Sequence, residues 1–184
     1  AALNRRYNVE YSTVRRERFR SFDAGWRTQL KALPFEKLSR PAQVDYLLLD
    51  NKLRYELALL DREAKLASEM APLLPFADTL AALLEQRRTL QRPIPAATAR
   101  TIAGMTARIE KVSKSLSTTD GAPNGALPSK IVAYRAADAL NGYKRQFGAW
   151  LKFYQGYDPE MTWWIADPAK KFDAALDSYR KALR

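Results

Sequence analysis

Ten prolines divide this chain more sharply than any other feature: Pro34, Pro41, Pro72, Pro75, Pro93, Pro95, Pro123, Pro128, Pro159 and Pro168. A proline inside an α-helix removes a backbone donor and costs about 3 kcal/mol, so the stretches between them are where helices can run. Within those stretches apolar residues recur at steps of three and four, the helical period. The spacing predicts helices over about Tyr7–Leu33, Ser39–Ala71, Phe76–Gln91, Ala96–Ser117 and Ser129–Tyr154. A sixth is expected to start from an Asp167 cap, with Pro168 at the first helical position, and to run to the terminus. Long helices joined by short links give an all-α antiparallel bundle of about six helices, folded as a single domain over residues 1–184.

The stripes say which faces meet. In the first helix Phe19, Phe22, Trp26, Leu30 and Leu33 form one apolar line, expected in the core, with Arg15, Arg16, Arg18, Arg20 and Arg27 on the solvent side. Arginines among rings also suit a nucleic-acid stacking platform, but the helical spacing of the rings favours packing. The second helix carries two lines: Tyr46, Leu49, Leu53, Leu57 and Leu60, and also Val44, Leu48, Tyr55 and Leu59. It is therefore expected to be central and buried, with Asn51 hydrogen-bonded to a neighbouring helix. Asp120-Gly121 and Asn124-Gly125 mark Ser117–Pro128 as a loop. Gly142 and Gly148, inside the fifth helix, predict close approach of another group.

Chemistry is bounded by what the sequence omits. It contains no Cys and no His, which removes thiol nucleophiles, thiolate metal sites, the commonest general base and the commonest zinc ligand. Asp45 with Asp50, and Asp173 with Asp177, are the nearest carboxylate pairs along a helix, without the Glu-x-x-His companions of a di-iron bundle. No catalytic, cofactor or metal residue is assigned in this chain. Lys and Arg exceed Asp and Glu by 31 to 20, a net charge of +11, which suits an acidic partner. No apolar run reaches the length of a transmembrane helix, and the start, without Met or a leader, suggests a processed form or an excised piece.

The densest stretch is Phe147–Pro168, with three of the four tryptophans and two Asp-Pro steps. Trp150 and Tyr154 continue a buried stripe, Gly156 breaks the helix, and Pro159 and Pro168 bracket a turn holding Trp163 and Trp164. Trp150, Tyr154, Tyr157, Asp158, Trp163 and Trp164 are the candidate interface or cleft residues, with core packing the alternative for the tryptophans. Several short runs carry a resemblance: Pro41-Ala-Gln-Val-Asp-Tyr-Leu-Leu-Leu with Tyr55-Glu-Leu, Pro72-Leu-Leu-Pro-Phe, Trp150-Leu-Lys-Phe-Tyr-Gln-Gly-Tyr-Asp-Pro, Trp163-Trp164 and Asp177-Ser-Tyr. From about Leu33 to Arg184 the chain resembles the N-terminal part of the bacterial domain of unknown function 885 family. Those proteins are largely helical, often exported or lipid-anchored, and similar to zinc metallopeptidases of the gluzincin kind, with a His-Glu motif in their C-terminal portion.

The resemblance implies a helical N-terminal domain that lines or supports a substrate cleft and is inactive alone. Zinc is implied for the C-terminal portion of the full-length protein, not for this chain. That portion is the implied partner, a peptide-like substrate is implied with it, and the implied location is the cell envelope or periplasm, the cytoplasm staying open. On the residues alone the competing expectation is a free-standing basic helical module that binds nucleic acid or an acidic protein.

Overall fold

The computed structural model describes residues 9–117 and 129–184. Among them are six α-helices and no strand: α1 (Thr13–Lys31), α2 (Arg40–Met70), α3 (Ala77–Arg88), α4 (Pro95–Ser117), α5 (Lys130–Gln155) and α6 (Pro159–Ala182). Single 3-10 turns cover Phe35–Lys37 and Ala71–Leu73. The all-α class is the one expected, and α2 to α5 match their expected bounds to within about three residues. Beyond Ser117, the expected Ser117–Pro128 loop lies outside the described residues.

The chain divides into two compact units, Thr13–Ser68 and Ala1–Ser12 with Glu69–Arg184. In the larger unit α4 and α5 both pack along α6, and α3 packs against α4 and α5. Phe76 is its centre, with no exposed surface, meeting Tyr143 and Phe172 edge-on at 5.5 and 5.6 Å. Burying such a ring stabilises the fold by roughly 1.5–3 kcal/mol. Ile102, Met105 and Ile109 close the core from α4, and Met161, Ile165, Phe172 and Leu176 from α6. The Ala71–Phe76 link packs down as its apolar residues predict. Leu73 and Leu74 are buried, and the Tyr179 hydroxyl donates to the Leu73 carbonyl at 2.9 Å. Burial pushes that phenol far above its usual pKa.

α6 corrects one expectation. It is capped by Asp158, not Asp167, whose carboxylate accepts from the Met161 N–H at 3.0 Å, and it continues straight through Pro168. The apolar stripe decides this: Met161, Ile165, Ala169, Phe172, Leu176 and Tyr179 are all buried on one face. Breaking the helix at Pro168 would forfeit that face, which outweighs one missing backbone hydrogen bond.

The smaller unit is a helical hairpin, and it reverses the expected faces of α1. Arg15 pairs with Glu63 at 3.3 Å, Arg20 with Asp61 at 2.7 Å and Arg27 with Asp50 at 2.9 Å, so these arginines reach α2. Asp23 and Leu30 are buried, whereas Phe19, Phe22, Trp26 and Leu33 are exposed. Nor is α2 a buried central helix. Leu53 and Leu60 are buried, but Val44, Leu48, Leu49 and Tyr55 of its two apolar lines face solvent. Asn51 is likewise exposed and accepts from Arg54 of its own helix at 3.4 Å, not from a neighbour. Periodicity locates a stripe along a helix; it does not say whether rings or ion pairs will occupy the contact with the next one.

Candidate functional site

The candidate residues gather at the corner between α5 and α6. Gly156 closes α5 with its N–H to the Lys152 carbonyl at 3.3 Å, and the Asp158 N–H returns to the Tyr154 carbonyl at 2.8 Å. Asp158 then caps α6, with Pro159 in the first turn, and the Thr162 hydroxyl donates to the Asp158 carbonyl at 2.8 Å. Backbone reversal is thus complete within a few residues, fixing which rings point inward.

Trp150 and Tyr154 belong to the core, exposed by 1% and 5%. Trp150 stacks on Phe147 at 5.9 Å and tilts against Tyr154 at 4.8 Å. Burial raises the Tyr154 phenol above its usual pKa. These two candidates therefore support the corner from beneath and do not line a surface. Trp150 Nε1 is buried without a hydrogen-bond partner, which marks how completely the ring is enclosed.

Three candidates face outward. Tyr157 is 77% exposed, Trp163 73% and Trp164 41%. Trp163 and Trp164 meet edge-on at 5.1 Å. Tyr157 stacks on Phe153 at 5.9 Å, and the Arg87 guanidinium lies 4.5 Å above the Phe153 ring while donating to the Ala149 carbonyl at 3.1 Å. Arg92 approaches the Asp158 carboxylate at 3.9 Å. The arrangement offers flat apolar rings beside cations, which suits recognition of another surface; it brings no nucleophile and base together. Phe153 and Arg87 were missed in the sequence because their pairing spans two helices, although Phe153 precedes Tyr154 in the same aromatic run.

A second feature lies on the outer side of α5. A cavity of about 590 Å³ is lined by Tyr11, Asp138, Asn141, Lys144, Arg145 and Asp173, among others. Its lysine is already committed: Lys144 Nζ donates to Asp177 at 2.6 Å and to Asp173 at 3.0 Å. The hydrogen bond to Asp177 chiefly holds the lysine above its usual pKa, and the same contact holds the Asp177 carboxyl below the usual carboxylate range. The Asp173–Asp177 pair thus binds an ammonium of its own chain. Comparison with protein-family models, with curated proteins and with solved structures gives no match to this chain.

Proposed function

We propose that this chain is a non-catalytic helical domain that docks against another polypeptide surface through the aromatic corner between α5 and α6. Following the resemblance, that surface belongs to the zinc-peptidase-like C-terminal portion of the same protein, and the corner lines or supports its peptide-substrate cleft. The observation that carries the docking reading is the contrast within one corner. Trp150 and Tyr154 are 1% and 5% exposed, while Tyr157 and Trp163 are 77% and 73% exposed on a turn held by cap and backbone hydrogen bonds. Rigid aromatic rings that stay outside a core are the side chains that most often anchor interfaces.

The test is a binding titration between this chain and the C-terminal portion supplied separately. A Tyr157→Ser, Trp163→Ser variant should weaken binding by about 30-fold, the effect of losing an interface anchor worth ~2 kcal/mol. Its circular dichroism should be unchanged, since both side chains are exposed. Undiminished binding by the variant, or peptide hydrolysis by the 184 residues alone, would refute the proposal. Steeply salt-dependent binding to nucleic acid would favour the basic-module alternative. That alternative is weakened by the engagement of Arg15, Arg20 and Arg27 with the carboxylates of α2.

A further inference from the structure

The outer face of α2 carries a pattern that the hairpin itself does not use. Val44, Leu48, Asn51, Tyr55 and Ala58 follow one another at steps of four, three, four and three, the seven-residue spacing that lines a coiled-coil contact. All five are exposed, Leu48 by 63% and Tyr55 by 61%. The buried Leu53 and Leu60 lie on the opposite side of the helix, roughly 150–180° away at 3.6 residues per turn. The ion pairs that tie α1 to α2 engage Asp50, Asp61 and Glu63, none of which belongs to this line.

A polar residue in the middle of such a line fixes the register and the choice of partner. Asn51 occupies that position, its Oδ1 accepting from Arg54 and its amide N–H groups left to meet an acceptor. Lys52 and Arg54 flank it on either side, and Arg62 continues the line one step beyond Ala58. Two copies related by a two-fold axis at Asn51 would set Lys52 against Lys52 and Arg54 against Arg54, so the flanking charges oppose self-pairing.

We propose that the outer face of α2 binds an amphipathic helix of a partner protein. The partner helix carries apolar residues at seven-residue spacing, an acceptor side chain opposite Asn51 and carboxylates opposite Lys52 and Arg54. This surface is independent of the aromatic corner.

The test uses the full 184-residue chain and two labelled synthetic helical peptides of about three heptads. They share one leucine line with a central Gln and differ only in carrying Glu or Lys at the flanks. Fluorescence anisotropy should show the Glu peptide binding about tenfold more tightly than the Lys peptide. Leu48→Glu should abolish binding of both without changing the thermal melt, and Lys52→Glu with Arg54→Glu should invert the preference. Equal binding of the two peptides, or a preference that fails to invert, overturns the proposal. So does a Leu48→Glu variant with a lowered melting temperature, since the face would then be covered within the chain. Sedimentation showing a dimer that Leu48→Glu dissolves would assign the face to a second copy instead. Capture by phosphatidylglycerol vesicles, lost in Leu48→Glu and unaccompanied by peptide binding, would assign it to a membrane surface.

Discussion

A glycine inside a helix costs about 0.5–1 kcal/mol relative to alanine unless a neighbour needs the space. Gly142 has that reason: an added Cβ would stand 2.4 Å from the Tyr11 hydroxyl oxygen and 2.8 Å from its ring. Gly148, six residues further along the same helix, meets nothing within 4 Å. Gly148→Ala should therefore raise stability by about 0.5–1 kcal/mol in a denaturant titration. Gly142→Ala should show no such gain and should displace the ring that packs 4.5 Å from Tyr143, seen as a shift in the Tyr143 ring resonances. Both glycines stand out in the sequence, but only the placement of Tyr11, far away in the chain, separates them. Asp23 makes a related point. Burial raises its carboxyl pKa, so the charged form is disfavoured in the folded hairpin. A raised carboxylate pKa costs stability above the unfolded value and costs nothing once the group is protonated. Asp23→Asn should accordingly raise the melting temperature at pH 7 and lose that advantage at pH 3.

At the scale of elements, most helix bounds were legible because proline and glycine stop helices wherever they fall. What was not legible was a choice between equal signals. Asp158-Pro159 and Asp167-Pro168 are the same chemical start, and α6 uses the first because the stripe Met161–Ile165–Ala169–Phe172 runs past the second. Pro168 is then a defect tolerated inside the helix, half-buried at its edge. Removing it should help. Pro168→Ala restores a backbone donor worth up to ~3 kcal/mol but releases about 1 kcal/mol of unfolded-chain constraint, so a net gain of about 1–2 kcal/mol is expected in the same denaturant titration. A loss of stability would mean that the pyrrolidine ring fills a site alanine cannot. The faces of α1 were the larger miss. Its ring spacing was correctly helical, but three arginines with carboxylate partners on α2 took the contact between the helices. A stripe in one sequence cannot name its neighbour, and the same limit left Phe153 and Arg87 out of the candidate corner while Tyr157, Trp163 and Trp164 were found.

At the scale of the whole molecule, charge sets how stability responds to pH. Asp50, hydrogen-bonded by Arg27, and Asp177, hydrogen-bonded by Lys144, both ionise below the usual 3.8. A depressed carboxylate pKa adds stability that is present above 3.8 and is lost as pH falls through the lower folded value. Lys144 is raised above 10.5 by the same triad, so its contribution is present below 10.5 and lost as pH climbs through the higher folded value. Between these limits the triad contribution should be flat. A second effect acts in the acid range, because protonating carboxylates adds to a net charge that is already +11 at pH 7 and increases self-repulsion. Asp177→Asn separates the two. It removes the chief partner of Lys144 while leaving the acid-driven repulsion nearly unchanged. Melting temperatures from pH 2 to 6 should therefore fall less steeply in the variant than in the parent chain below pH 3.8. The difference between the two curves should shrink in about 1 M salt, where the screening length is only ~3 Å and these partly exposed charges lose their hold on one another. Parallel acid limbs at low salt would mean that repulsion alone governs acid unfolding and that the triad contributes nothing measurable.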